Sequence, residues 1–450
     1  MSRVAARRAV GDVILISANT HNAVRTLLRR LALISTTFAA QAASRGMPMP
    51  NIHLVQMHSS DVTESITGTE DCTDGNCTSS VKRLRRTGVV IIGGTTTALL
   101  KMSERISASA AYTGAGRVFQ ADELIIDEAS MLVFPHALAL ASLLTEDGCM
   151  MLTGDHRQLS PIVAHEWEDE DRPPTVLYQP FRSAYDAIRN LLAHSLIAAD
   201  KTRMNRSALT YSFRLPTVVR NLIKRLYLLD DLELDGPSGH TRPDSRGIQD
   251  GWESVWANGT GLYLILHNER ISNQSNEVEA SIIKEMLDAA PAQAPNSIAV
   301  ITPHRAQRTL LQTRLAPYID PGIEPVQLVD TVNRLQGAEQ ETIIVSAAMS
   351  DPSAIAGNAE FILELNRANV AFSRTKKRLI VVCSESLLSH MPVEADQYAE
   401  TLLWKSLRQE CTELVATETI GSYSVRVLTP PFDPPSVPVL VTSTLVPSSV

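Results

Sequence analysis

Asp127 and Glu128 follow the apolar run Leu124-Ile125-Ile126 and lead into Ala129-Ser130. A buried strand that ends in two carboxylates can aim both into one crevice at the strand tip. In phosphoryl transfer the first would hold magnesium through water while the second orients or deprotonates the attacking water. The same dipeptide also serves as a helix N-terminal cap, a position both residues favour. Gly154-Asp155-His156-Arg157-Gln158-Leu159 follows the next apolar run, Met150 to Leu152. There the neutral amide of Gln158 can report a γ-phosphate by hydrogen bonding without adding charge. A polar turn ended by Pro161 is the blander reading of the same residues.

Arg214, in Ser212-Phe213-Arg214-Leu215-Pro216, and Arg374, in Phe372-Ser373-Arg374, are candidates for neutralising phosphate charge. The guanidinium stays charged and its planar fork can contact two phosphate oxygens at once. An isolated arginine is more commonly a surface residue. Phe213 can stack on a purine or belong to the core. Gln336-Gly337-Ala338-Glu339 offers Gly337 for close approach and the Glu339 carboxylate as an acceptor for ribose hydroxyls. Thr20, Thr95, Thr302 and Thr331 stand just after or between apolar runs, where hydroxyls can bond a sugar-phosphate backbone without reading bases. Each alone is equally a turn or cap residue.

These side chains need strands to carry them. Val13-Ile16, Val89-Ile92, Leu124-Ile126 and Met150-Leu152 each end in a small or acidic loop, as buried parallel strands of a doubly wound sheet do. After an irregular excursion from about 230 to 260, a second α/β set is expected from strands at Leu262-Leu266, Ser297-Ile301, Thr342-Ser346 and Leu379-Cys383. Helical patterns cover Val278-Leu287 and Arg305-Leu315. From about 416 proline density suggests a mostly extended tail, with apolar valines that could dock on the body. The expected division is therefore 1–204, 205–415 and a tail 416–450, in the α/β class with two doubly wound parallel-sheet domains.

Composition excludes little. The formal charge of -8 and pI near 5.8 give no global reason to bind nucleic acid, although a local basic channel is compatible with an acidic surface. Five scattered cysteines fit free thiols in a reducing, cytoplasmic setting. Cys72 and Cys77 lie near His53 and His58, but no second cysteine pair supports zinc. No apolar stretch is long and continuous enough to cross a membrane as a helix, and Glu166 to Asp171 reads as a solvated acidic loop.

Taken in order, these segments resemble the superfamily 1 helicases, in the branch of the nonsense-mediated-decay helicase and its relatives in DNA replication and repair. Ser17-Ala18-Asn19-Thr20-His21-Asn22-Ala23-Val24 resembles that branch's motif Ia, and Gly94-Thr95 its motif Ic. Asp127-Glu128-Ala129-Ser130 and Gly154 to Leu159 are similar to motifs II and III, and Ser212 to Pro216 to motif IV. Thr302-Pro303-His304-Arg305-Ala306-Gln307 resembles a strand-contacting motif, and the segments around Gln336 and Arg374 resemble motifs V and VI. The resemblance implies two RecA-like domains with ATP and Mg2+ between them and single-stranded DNA or RNA lying across both. It also implies strand contacts at Asn19, Thr20, Thr95, Thr302, Pro303 and Thr331, and 5′ to 3′ movement.

One departure stands out. No Gly-x-x-x-x-Gly-Lys-Ser/Thr occurs in the sequence, so the loop that cradles nucleotide phosphates is missing, and about a dozen residues precede the motif Ia segment. Without its N–H donors, lysine and magnesium-binding hydroxyl, hydrolysis should lose orders of magnitude in rate. The first sheet is then expected to lack its phosphate-loop strand, a central one, leaving two unpaired edges. Three readings are open: an N-terminally incomplete helicase, inactive as written; a split motor whose phosphate loop sits on a second polypeptide; and a non-hydrolysing module that binds nucleic acid or a partner.

Overall fold

The computed structural model describes residues 9–47, 50–58, 65–109, 118–161, 181–193, 204–237, 251–256, 261–291, 297–319, 325–335, 339–392 and 395–431. The chain divides into two compact units, Met1–Ser207 and Ala208–Val450.

The first unit is built on a six-stranded sheet of β1 (Val13–Ala18), β2 (Ile52–Met57), β3 (Glu70–Cys72), β4 (Val89–Gly93), β5 (Ala121–Asp127) and β6 (Leu144–Leu152), ordered β3-β2-β4-β1-β5-β6. Every neighbouring pair is parallel. Val13 to Ile16 carry no polar residue because β1 is central and buried on both faces. One face of the sheet packs Val13, Leu15, Val90, Ile92, Leu124 and Ile126 into the main core. Ile14, Ile16 and Ile91 fill a second cluster on the other face.

β1 pairs directly with both β4 and β5, so the ladder of the described strands is unbroken. Among the described residues its edges are β3 and β6, and they differ. The three-residue β3, Glu-Asp-Cys, is short and acidic, a form that discourages further pairing. β6 runs for nine residues and ends in Cys149-Met150-Met151-Leu152, an apolar run of the kind that buried parallel strands carry, yet none of its residues is fully buried. Its pairing with β5 shifts register between Ala121 and Glu123, so the acidic pair Glu146-Asp147 stands in the irregular stretch.

The second unit holds a seven-stranded sheet of β7 (Gly261–His267), β8 (Ile298–Thr302), β9 (Val326–Thr331), β10 (Gln340–Ser346), β11 (Thr375–Ser384), β12 (Glu413–Ile420) and β13 (Tyr423–Thr429), ordered β12-β13-β7-β11-β10-β8-β9. β7 through β11 pair in parallel, and β13 joins β7 antiparallel. The expected tail boundary at 416 falls inside β12, so the start of that segment is part of the sheet. Its strands are the hairpin β12–β13, turning at Gly421, whose φ of 59 is a left-handed conformation that favours glycine. Ala416, Ile420, Val425 and Val427 bury its inner face in the core. The prolines that follow the hairpin obscured its period-two pattern, and the rest of the expected tail, 432–450, lies outside the described residues. The acidic segment 166–171 lies outside the described residues.

Both units are therefore parallel-dominated α/β sheets of the RecA-like kind. No described helix is long and apolar enough to cross a membrane.

Candidate functional site

In the first unit the acidic pair stands where the strand pattern puts it. Asp127 is the last residue of β5, and Thr153, just beyond the neighbouring β6, donates its hydroxyl to Asp127 Oδ1. The backbone clamps the same two tips together, because Thr153 N–H donates to Ile126 at 2.9 Å and Ala129 N–H to Thr153 at 2.8 Å. Glu128 has φ 51, one of three positive-φ non-glycine residues among those described. A non-glycine side chain in that region is uncommon and costs of order 1–3 kcal/mol, so the surrounding contacts must enforce it. Its own carbonyl accepts from Met131 N–H at 2.9 Å, which closes the turn after the pair. The turn does not make Asp127-Glu128 a helix cap, since the next described helix begins at Phe134.

Gly154 lets the neighbouring loop come against this turn. A Cβ there would lie 3.0 Å from Ser130 N and 3.2 Å from the Tyr185 ring. Beyond it Asp155 organises the loop, accepting from Arg157 N–H at 2.9 Å and from the Gln158 amide at 3.1 Å. Asp127, Glu128 and Gln158 are all half-buried and therefore reachable from solvent. Thr153 is the residue that sequence reasoning missed; its signal is a hydroxyl directly after the apolar run that precedes Gly154.

The second unit joins two candidates whose sequence positions are far apart. Arg214 Nη1 lies 3.1 Å from Glu339 Oε1, and Lys376 Nζ lies 3.2 Å from Glu339 Oε2. Burial pushes the Glu339 carboxyl up, but hydrogen bonds and charge from Arg214 and Lys376 outweigh it, so the group sits below its ordinary value. Lys376 was not anticipated, although it lies two residues after Arg374. Arg374 is 5% exposed, which sets aside the surface reading for it. It caps the helix Leu365–Ser373, and its carbonyl accepts from Gln340 N–H at 3.1 Å. Phe213 is 82% exposed beside Tyr211, with ring centroids 4.7 Å apart, so it is not a core residue. Gly337 lies outside the described residues, with Gln336 and Ala338.

The polar residues expected at a nucleic-acid backbone differ in availability. Asn19 and Thr20 are exposed, and Thr20 Oγ1 caps the helix His21–Ser44 by accepting from Ala23 N–H at 3.2 Å. Thr95 is half-buried at the start of the helix Thr96–Ala108 and makes no side-chain cap bond. Pro303 and Thr331 are half-buried, whereas Thr302 has no exposed surface. The Thr302 side chain therefore reaches no ligand in this conformation and instead faces His304 N–H at 3.5 Å. Cys72 and Cys77 are buried free thiols, burial raising Cys72 to about 11, and no cluster of three or more metal-ligating side chains occurs among the described residues.

Two family models, each described as an AAA domain, match residues 1–164 and 198–386. A "DNA replication ATP-dependent helicase/nuclease JHS1" from Arabidopsis thaliana is 26% identical over 274 residues, 60% of this chain and 19% of that protein. An "uncharacterized ATP-dependent helicase MJ0104" from Methanocaldococcus jannaschii is 26% identical over 296 residues, 64% of this chain and 39% of that protein. A solved structure of arterivirus nonstructural protein 10 (helicase) with DNA aligns with a TM-score of 0.39 at 13% identity, covering 83% of this chain and 55% of that one. The chain thus spans a minor part of the length of the curated relatives it matches.

Proposed function

Since the chain belongs to the superfamily 1 helicases, in the branch of the nonsense-mediated-decay helicase and the DNA-replication helicase/nucleases, we propose that it is the motor portion of an ATP-dependent translocase on single-stranded nucleic acid, moving 5′ to 3′. The observation that carries this reading is the carboxylate pair at the β5 tip. Asp127 is bonded by the Thr153 hydroxyl, and Glu128 is held in a left-handed backbone, a kind of local strain that clusters at active sites.

The donors fit Mg2+ and a nucleotide in part. Asp127, an oxygen donor of the hard kind magnesium takes, would hold the ion through water, and the bound ion would neutralise charge developing on the phosphates. Glu128 accepts a proton from, or orients, the attacking water, and Gln158 hydrogen-bonds the terminal phosphate. Arg214 and Arg374 supply fixed positive charge. Phe213 stacks on the adenine through its exposed ring, and Glu339 accepts from the ribose hydroxyls, with Gly337, outside the described residues, as the close-approach candidate. Asn19, Thr20, Thr95, Pro303 and Thr331 contact the strand backbone, and Thr302 does so only after a local rearrangement.

The fit fails at the phosphates, because the sequence contains no glycine-lysine loop to hold them. We therefore place that loop on a polypeptide segment outside these 450 residues, a second polypeptide being one source. The same absence favours a second reading, a module that binds nucleic acid or a partner without hydrolysis. Strand-stimulated ATP hydrolysis, measured for this chain alone and for a form supplied with a glycine-lysine loop segment, separates the two. The motor reading expects hydrolysis only in the supplied form; the binding-module reading expects none in either.

A further inference from the structure

At the carboxyl ends of β7, β8 and β10 the second unit contains a polar network with no exposed surface. His267 Nε2 meets Glu279 Oε1 at 3.2 Å, and Ser346 Oγ and Ala348 N–H donate to the other Glu279 oxygen at 2.5 and 2.9 Å. The Gln307 amide donates to Ser346 at 2.9 Å, and its oxygen accepts from Asn276 N–H at 2.7 Å. Asn276 Nδ2 in turn donates to Glu269 at 2.8 Å. Apart from His267 Nδ1, which has no hydrogen-bond partner among the described residues, these groups are paired, and a paired network sealed from water rigidifies what it joins. Here it ties the loop after β7 and the loop after β10 to the helix Arg305–Arg314 that follows β8.

Next to this rigid base stands an aromatic side chain that folding does not bury. Phe361, on the helix Pro352–Leu363 that starts directly after the β10 loop, is 42% exposed. Arg367 Cζ lies over its ring, 3.9 Å from the centroid, and the His304 ring is 5.4 Å away at a 38° tilt. The guanidinium is itself fixed, with Nη2 2.8 Å from Glu364 and Nη1 donating to the Phe361 carbonyl. Burial and the nearby Arg367 charge lower the pKa of His304, which favours the neutral ring. His304 Nε2 is buried and has no hydrogen-bond partner among the described residues. Two exposed arginines, Arg270 and Arg305, stand on the same knitted segments.

We propose that Phe361 is a base-stacking residue: an unpaired nucleobase of a bound single strand lies on its exposed ring, while Arg367 and His304 act as positioning residues that hold the ring in place. The proposal rests on the reading of the chain as a strand-binding motor. A flat ring held by a cation–π contact has little rotamer freedom left to lose, which suits it to stacking any base regardless of sequence. Arg367 over the ring and the exposed Arg305, next in sequence to the neighbouring His304, favour a polyanion as the occupant over an apolar protein segment.

The test compares binding of a dye-labelled oligothymidylate with that of an abasic strand of equal length, by fluorescence anisotropy. Wild type should bind the base-bearing strand roughly five- to a hundred-fold more tightly, the range that stacking on an aromatic spans. Phe361→Ala should bring the two affinities together by weakening only the base-bearing strand, and Phe361→Tyr should restore the difference. Loss of affinity for both strands in Phe361→Ala, or no change in either, overturns the stacking role and leaves the ring to a protein contact or to packing. If wild type binds neither strand, the motor reading fails and the proposal with it. An unchanged circular dichroism melt for Phe361→Ala excludes misfolding as the cause.

Discussion

Arg214 and Glu339 hold each other in the second unit, guanidinium Nη1 to carboxylate Oε1 at 3.1 Å, with Lys376 on the second carboxylate oxygen at 3.2 Å. Arg214 was singled out for a phosphate and Glu339 for a ribose, and the fold makes them one charged cluster. Arg214 thus has an internal counter-ion that keeps it oriented. The pair is partly solvent-exposed, so its contribution to stability is at most about 1 kcal/mol.

Replacing Glu339 by Gln should therefore move the thermal midpoint by no more than about 4 °C at neutral pH. The pH dependence has a definite sign. The Glu339 carboxyl is depressed below its ordinary value of 4.5, so its stabilisation is fully present above that value and is lost as pH falls through the depressed one. The midpoint difference between wild type and Glu339→Gln, measured by differential scanning fluorimetry, should stay level at neutral pH and close in acid. A difference that widens in acid contradicts the pairing.

The left-handed backbone at Glu128, φ 51, separates the carboxylate's role from its conformational cost. Glycine is at ease there and alanine is not, so Glu128→Gly should be more stable than Glu128→Ala by about 1 kcal/mol in urea unfolding. Neither variant should support hydrolysis. Equal stability of the two would mean that the turn relaxes when the side chain is removed.

Gly154→Ala brings a methyl group to 3.0 Å from Ser130 N and 3.2 Å from the Tyr185 ring. Overpacking of this kind costs about 1–3 kcal/mol, here by separating the Gln158 loop from the Asp127–Glu128 turn. Denaturant unfolding should show the loss, and a Gly154→Ala chain as stable as wild type would show that the two loops need not touch.

Glu279 is buried with His267, Ser346 and Ala348 as its partners. Removing the carboxylate strands several buried polar groups at once, so Glu279→Ala should destabilise the chain by about 3–5 kcal/mol and Glu279→Gln by less. Chemical denaturation of both variants checks the order, and the reverse order contradicts the network.

The sequence revealed the strand tips better than the sheet edges, and the reason is physical. Central strands such as Val13–Ala18 are buried on both faces, so their apolar runs are continuous and the chemistry begins where the run stops. β3, with Glu-Asp-Cys, is too short and polar to give a signal, and the hairpin β12–β13 was obscured by the prolines that follow it. β6 misled differently: its Met150-Met151-Leu152 run resembles that of an enclosed strand, but among the described residues it pairs only with β5. Within the site, motif order pointed to Asp127, Glu128, Arg214 and Glu339. It could not show that Thr302 is buried, that Phe213 is exposed or that Phe361 faces solvent, because exposure is set by packing between segments distant in sequence.

On the proposed function, Glu128 serves phosphoryl transfer from the tip of β5. The most direct measurement is single-strand-stimulated ATP hydrolysis by the chain supplied with a glycine-lysine loop segment, beside the same assembly carrying Glu128→Gln. The expected result is strand-dependent hydrolysis in the first and retained nucleotide binding with hydrolysis lowered by at least about a hundred-fold in the second. Hydrolysis at an undiminished rate in Glu128→Gln would remove Glu128 from the reaction.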